Sequence, residues 1–226
     1  MSSHDESSHP RQLSAAARRV LGVLVEKAKT TPDHYPLTLN AVVTACNQKS
    51  NRDPKMDLDE DQAMLALDEL KSVQAAREVQ GSGRATKYRH AAYEWMDIDG
   101  PESAVMTELL LRGPQTVGEI RTRASRMHPF ADLNALQPVI QQLCNKGLVE
   151  AMNPPGRGQL FTHTLYQKHE KQFVQARLDK KHAADPVAAK SESDVNLQSV
   201  DRLVARLEEV TSRIDALERR LAELEE

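Results

Sequence analysis

The chain has 226 residues, a formal net charge of −3 and an aromatic content of only 4%. This length can hold two small domains and additional segments. The charge excludes a bulk polycation, so nucleic-acid binding would require a local basic patch. The scarcity of aromatic residues favours small helical domains over a large sheet enzyme.

The N-terminus carries neither the basic region nor the apolar core of a signal peptide, and no apolar run reaches the length of a membrane span. We therefore expect a cytoplasmic protein without a membrane partner. Residues 1–12 are polar and predict a disordered tail.

Residues 13–92 form the first predicted domain. Apolar spacing and capping residues predict three helices, and two strands follow them. The first and third predicted helices cover about 15–29 and 59–72, and the second begins after a cap at Thr38 or Asn40 and ends at Cys46. The strands cover 76–80 and 85–90 around a Gly-containing turn. Three helices followed by a hairpin are typical of a winged helix.

A connector at residues 93–100 carries the only tryptophan, Trp95, and precedes a second predicted domain at residues 101–167. The order of three helices and a hairpin occurs again in this domain. The two domains align with each other at a shift of 73 residues, which aligns Leu67 with Ile140 and Tyr88 with Phe161. This match predicts a tandem repeat of one fold unit.

A charged linker, predicted to be partly helical, covers residues 168–195, and a coiled coil is predicted at 196–226. The coiled coil rests on apolar residues that alternate by three and four, as a and d positions do. The seam consists of Val200, Leu203, Leu207, Val210, Ile214, Leu217, Leu221 and Leu224. One helix cannot bury such a seam alone. We expect a homodimer, while pairing with a partner helix or packing against the chain's own domains stays open.

The predicted fold class is therefore mainly α with small β-hairpins (α+β), as two tandem winged-helix domains and a C-terminal coiled-coil helix. The string from Ala45 to Pro54, ACNQKSNRDP, resembles the YceH family of bacterial proteins. The preceding YPLTLN and the later Gly-Arg-x-x-x-Tyr strengthen this resemblance, which covers roughly residues 13–165. It implies a tandem winged-helix architecture. The family is functionally uncharacterised, so the resemblance supplies no catalytic or ligand residues.

Candidate contacts with nucleic acid or with a protein partner are polar and basic residues in the turn after the second helix, on the two wings and in the second domain. They are Asn47, Gln48, Lys49, Asn51, Arg52, Arg84, Lys87, Arg121, Arg123 and Arg157. Such side chains can contact phosphates.

Two functions compete for this architecture. DNA binding, directly or within a transcription-regulatory complex, fits the winged helices, and the amides of the second domain's third helix can read base edges. However, residues 13–98 hold 12 basic and 12 acidic residues, residues 99–167 hold 6 of each, and six acidic groups lie on or beside the first domain's third helix. A scaffold that binds proteins without touching DNA is the alternative.

An enzyme is not expected. The eight histidines are scattered, and neither a metal-ligand spacing nor a Gly-rich phosphate loop occurs. The sequence predicts no catalytic residue, no metal site and no cofactor.

Overall fold

The computed structural model describes residues 12–80, 85–156, 158–174 and 176. Residues 1–173 belong to one compact unit and residues 174–226 to another. The first unit carries the architecture described below. Residues 1–11 of the predicted tail, most of the predicted linker and the whole predicted coiled-coil seam lie outside the described residues.

The described part of the chain is mixed α+β and mostly helical, with two small antiparallel sheets. In its first half, helices and strands follow the order helix, strand, helix, helix, strand, strand, helix. They are α1 (Ala15–Thr30), β1 (Leu37–Thr38), α2 (Leu39–Cys46), α3 (Glu60–Ser72), β2 (Ala76–Gln80), β3 (Thr86–His90) and α4 (Ala92–Met96), with a 3-10 turn at Pro32–His34.

The second half shows the same order from its first helix through its last strand. Its elements are α5 (Gly100–Arg112), β4 (Gln115–Thr116), α6 (Val117–Ala124), α7 (Leu133–Asn145), β5 (Val149–Ala151) and β6 (Leu160–His163). The two sheets have equivalent strand orders, β1-β3-β2 and β4-β6-β5, and all pairs are antiparallel. The repeat predicted from the sequence is therefore visible in the order and pairing of the elements.

The repeat has two different shifts. α2 and α6 are 78 residues apart at both ends, whereas α3 and α7 are 73 residues apart at both ends. The loop after α2 runs from residue 47 to 59 and the loop after α6 from 125 to 132, so the first half has five more residues there. The single shift of 73 found in the sequence thus applies only from the third helix of each half onward.

Side-chain caps explain where several helices begin. Ser14, Thr38, Asp59, Asp99, Thr116 and Asp132 each accept a hydrogen bond from a backbone N–H in the first turn of the helix that follows. Such caps satisfy N–H groups that have no partner within the helix. The short strands β1 and β4 and the helix α4 were not predicted, because two-residue strands carry no periodic signal and 93–100 was predicted as a connector.

The buried core runs through both halves. Leu21 and Leu24 of α1 and Leu109 and Leu111 of α5 all belong to one apolar cluster and are fully buried. The predicted boundaries at 92 and 101 therefore fall within one compact unit. In the described residues, no helix is both long and apolar enough to cross a membrane.

Gly22 marks the close approach of α1 to α5. A Cβ added at Gly22 would lie 3.0 Å from Leu111 Cδ2 and 3.2 Å from Leu110 Cβ. Leu111 is fully buried, so it has little room to move away.

We expect Gly22→Ala to lower the free energy of unfolding by about 1–2 kcal/mol, because overpacking outweighs the better helix propensity of alanine. Denaturant unfolding of the full chain measures this change. The control is Gly118→Ala in α6, where an added Cβ meets nothing within 4 Å. That variant should be neutral or stabilised by about 0.5 kcal/mol. Equal stability of the two variants would contradict the close approach.

Candidate nucleic-acid interface

The outer face of the first sheet carries three basic side chains. Arg77 lies directly opposite Arg89, and Lys87 lies opposite both Thr38 and Val79. Directly opposed residues point to the same side of a sheet, and residues two apart on one strand share a side. Tyr88, between the two basic residues of β3, is 3% exposed and faces the core. Arg77, Lys87 and Arg89 consequently form one surface, which we call the basic sheet face.

The two arginines of the basic sheet face differ from the other described arginines. Arginines 18, 19, 52, 112, 121, 123 and 126 each donate to a carboxylate, an amide or a backbone carbonyl. Arg77 and Arg89 are exposed, and within the described residues neither side chain has a hydrogen bond or an ion pair. Their guanidinium groups are free to bind an external anion.

No carboxylate of the two long strands offsets this charge. Glu78 lies opposite Tyr88, on the other side of the sheet, and it forms an ion pair with Lys71. Like charges directly opposite each other on a sheet destabilise it. The Arg77–Arg89 pair therefore has an unfavourable interaction that a bound polyanion would relieve.

His90 does not add to the charge of this sheet. Burial, and then the neighbouring charge of Arg89, lower the pKa of His90 to about 4. The imidazole is neutral at pH 7, and the backbone N–H of His90 donates to the hydroxyl of Tyr35 at 2.6 Å. The positive charge of the sheet comes from its arginines and its lysine.

The turn after α2, which the sequence predicts as a contact surface, is largely engaged within the protein. The side chain of Asn47 donates to the carbonyl of Leu58 and accepts from its N–H, both at 2.8 Å. Gln48 Oε1 accepts from Arg52 at 3.1 Å. Lys49 alone among the charged candidates of the turn is exposed and lacks a described partner.

Arg52 is buried, with 5% of its surface exposed. Its two terminal nitrogens donate to both carboxylate oxygens of Glu26 in α1, at 3.2 and 2.5 Å, and its Nε donates to the carbonyl of Ala45 at 3.0 Å. A guanidinium held in this way is not available to a phosphate. We assign Arg52 a structural role and remove it from the proposed contact surface.

Glu26 also binds the second half of the protein. Arg126, which follows α6, donates to Glu26 Oε1 at 2.7 Å and to Glu108 Oε1 at 2.8 Å. Arg112 of α5 lies 3.2 Å from Glu108 Oε2, as an ion pair, and also donates to Asn51. Two buried carboxylates and three guanidinium groups thus connect the turn, α1, α5 and the loop after α6.

The same burial affects two neighbouring groups, Arg19 and Cys46. Burial, and then the charge of Arg52, lower the pKa of Arg19, whose guanidinium donates to the carbonyls of Cys46 and Pro54. Burial raises the pKa of the Cys46 thiol to about 12. Cys46 is therefore a packing residue, because only the thiolate is a good nucleophile.

The remaining predicted contacts lie elsewhere. Arg121 donates to the carbonyl of Ala131 at 2.8 Å, and Arg123 is bound to Gln115 at 2.7 Å and to Glu119 at 3.0 Å. Both are on α6, in the second half. Arg84 and Arg157 lie outside the described residues.

The two third helices present different surfaces. α3 exposes Glu60, Asp61 and Asp68, together with Leu65, which is 70% exposed. α7 has no charged residue and exposes amides, among them Asn134 and Gln137. An acidic helix is a poor partner for phosphates, so α3 does not contribute to a nucleic-acid surface.

The sequence alone does not identify Arg77 and Arg89 as candidate contacts. The signal was present in the alternation of Lys87, Tyr88 and Arg89, which places the two basic residues on one side of a strand. What the sequence did not provide was the pairing register that brings Arg77 opposite Arg89. Among the residues described, no group of three or more His, Cys, Asp or Glu side chains could hold a metal ion.

We expect Glu26→Gln to lower the free energy of unfolding by about 3–5 kcal/mol, because it leaves buried guanidinium groups without their carboxylate. Glu78→Gln is the matched control. It removes a carboxylate from an ion pair whose side chains are 30% and 48% exposed, and it should cost at most about 1 kcal/mol. Chemical denaturation compares the two variants, and similar losses would show that the buried network contributes no more than a surface pair.

Comparison with known proteins identifies relatives without a known activity. A family model described as a protein of unknown function, DUF480, matches residues 13–157. A UPF0502 protein of Rhodopirellula baltica is 59% identical over 189 residues, which cover 84% of this chain and 80% of that protein. A UPF0502 protein of Geobacter sulfurreducens is 50% identical over 151 residues, covering 65% and 69% of the two chains. These matches agree with the resemblance to the YceH family, and the chain belongs to the DUF480 family of proteins of unknown function.

Proposed function

We propose that this chain is a non-enzymatic, cytoplasmic tandem winged-helix protein that binds double-stranded DNA through the basic sheet face. The observation that carries this proposal is the pair of arginines without partners, Arg77 and Arg89, opposite each other beside Lys87. The other described arginines of the same unit are bound internally, whereas the side chains of these two are left to solvent.

The architecture supports the winged-helix part of the proposal. Each half places a two-residue strand between its first and second helices, and the hairpin that follows the third helix pairs with that strand. A three-helix unit with a small antiparallel sheet of this kind is the form of a winged helix. In such a unit the hairpin is a wing, and wings commonly contact the backbone or minor groove of DNA.

The distribution of charge favours the wing over the third helix as the element that contacts DNA. Phosphate contacts need cations, and the exposed charges of α3 are mostly acidic. We therefore propose that the first half binds the DNA backbone through β2 and β3. Binding of this kind is sensitive to salt and carries little sequence information by itself.

The predicted coiled coil adds a second element to the proposal. A homodimer through residues 196–226 would present two basic sheet faces to one duplex. Two linked weak sites bind with greater avidity than either site alone, provided that both can engage together. The same tail could instead recruit this protein to a transcription-regulatory complex.

We expect the double variant Arg77→Gln/Arg89→Gln to bind random duplex DNA more weakly and with a shallower dependence on salt. Each lost phosphate contact should reduce the slope of log K against log salt by about 0.9. Fluorescence anisotropy of the full chain across a salt series measures both quantities.

The double variant Lys49→Gln/Lys55→Gln is the control. It removes the same charge from the exposed turn after α2 and should leave the slope nearly unchanged. The basic sheet face is wrong as the interface if the control lowers the slope and the arginine variant does not. The DNA-binding function itself is wrong if the wild-type chain shows no binding at low salt.

A protein-interaction scaffold is the second candidate function, and the exposed face of α3 favours it. Asp61, Leu65 and Asp68 follow helical spacing and are all exposed, with Leu65 at 70%. Asp68 forms an ion pair with Lys71 at 2.9 Å, whereas Asp61 has no described partner. An apolar anchor beside the carboxylate of Asp61 suits a basic partner segment with one apolar side chain. In this function the winged helices and the coiled coil act without direct contact to DNA.

We expect Leu65→Ser to abolish capture of such a partner from nuclease-treated lysate, because the apolar anchor is lost. Quantitative affinity capture with the full chain measures the effect, and Leu133→Ser serves as the control because Leu133 of α7 is also exposed, at 47%. The variant Arg77→Gln/Arg89→Gln should retain the partner. Equal capture by Leu65→Ser and the wild-type chain would contradict the scaffold function of α3.

A further inference from the structure

We propose that a cleft between the start of α5 and the end of α7 binds a small organic cation that carries primary ammonium groups. The cleft has a volume of about 470 Å³, and its lining includes Asp97, Asp99 and Glu102 on one side and Gln142, Asn145 and Lys146 on the other. It is distinct from the basic sheet face, which lies in the first half.

The charge of the cleft is negative. Three carboxylates line it against one ammonium group, that of Lys146. Lys146 lies just beyond the last residue of α7, where the partial negative charge of a helix C-terminus adds to the carboxylates. These charges select a cation as the ligand.

Glu102 is the residue that points to a ligand. Its side chain is only 3% exposed. Glu102 Oε2 accepts from the backbone N–H of Asp99 at 3.0 Å and from Lys146 Nζ at 2.8 Å. Glu102 Oε1 is buried, and no described group donates a hydrogen bond to it. A buried carboxylate oxygen without a donor is unfavourable.

Helix capping accounts for only part of this arrangement. Asp99 and Glu102 form the capping box of α5, in which each side chain accepts from the backbone N–H of the other residue. That role employs Glu102 Oε2 and leaves Oε1 unused. It also explains neither Asp97 nor the amides of α7 that line the same cleft.

Lys146 is the exchangeable member of the site. Its ammonium group donates to the carbonyl of Asp97 at 2.6 Å and to Glu102, while its side chain is 35% exposed. The side chain can turn toward solvent and leave Glu102 Oε2 to an ammonium group of the ligand. Lys146 then acts as an internal competitor for the ligand.

The geometry favours an organic cation over a metal ion. Among the described residues, no cluster of three His, Cys, Asp or Glu side chains is placed to hold a metal. A flexible diamine can instead place one ammonium group at Glu102 and the other at the exposed carboxylates of Asp97 and Asp99.

Isothermal titration of the full chain with butane-1,4-diamine, at fixed ionic strength, tests the site. We expect saturable binding that Glu102→Gln weakens by about tenfold, the effect of removing one charge-assisted hydrogen bond. Glutamine also serves in a capping box, so this variant should keep α5 intact. Lys146→Met should bind the diamine more tightly than the wild-type chain, because the competing ammonium group is gone.

Glu150→Gln is the matched control. Glu150 is a partly exposed carboxylate of β5 that pairs with Lys171, and its loss should leave binding unchanged. Equal weakening by Glu102→Gln and Glu150→Gln would mean that the diamine only responds to the overall acidity of the chain, and the site would be wrong. A magnesium chloride titration that matches the diamine in affinity would overturn the assignment to an organic cation, as would the absence of diamine binding in both the wild-type chain and Lys146→Met.

Discussion

The buried carboxylate of Glu26 is the constraint on which the arrangement of the compact unit depends. It is 2% exposed and binds two guanidinium groups, one from Arg52 in the first half and one from Arg126 in the second. Removing a carboxylate from water is costly unless the charge is paired and its lone pairs are filled. Both halves must therefore supply their arginines for Glu26 to be buried at all. Gly22, where α1 packs closely on α5, lies in α1 one helical turn before Glu26.

This constraint gives the loop after α2 a structural role. The loop after α2 is longer than its counterpart after α6, and Arg52 lies in it. The backbone N–H of Asp53 donates to the carbonyl of Leu111 at 3.0 Å, so the same loop also attaches to α5. Each of the two loops supplies one guanidinium to Glu26, Arg52 from the longer and Arg126 from the shorter. The turn that is most distinctive in the sequence therefore serves the joining of two repeated units.

Much of the fold could be predicted from the sequence, because it depends on local signals. The sequence predicts the strand Ala76–Gln80 at its observed bounds and both ends of α1 and α3 within one residue, since apolar periodicity and capping residues mark them. For α2 it predicts the end at Cys46 but leaves two residues open as the cap. The shared core of the two halves could not be predicted, because apolar periodicity identifies a buried face but not the face it packs against. Arg52 shows the same limit for the site: a basic residue in a polar turn has the same sequence signature whether it faces solvent or a buried glutamate.

The balance of 12 basic and 12 acidic residues in the first half conceals a separation of charge. Glu60 and Asp61, whose side chains have no described partner, are exposed on α3, whereas Arg77 and Arg89 lie on the outer face of the first sheet. The net charge of the first half is zero because these two groups of residues cancel, so it indicates neither the basic surface nor the acidic one. Once internal pairs are removed from the count, the sheet retains cations without partners and the helix retains carboxylates. For this chain, the charges left over after internal pairing are a better guide to partners than net charge is, because only those charges can be offered to another molecule.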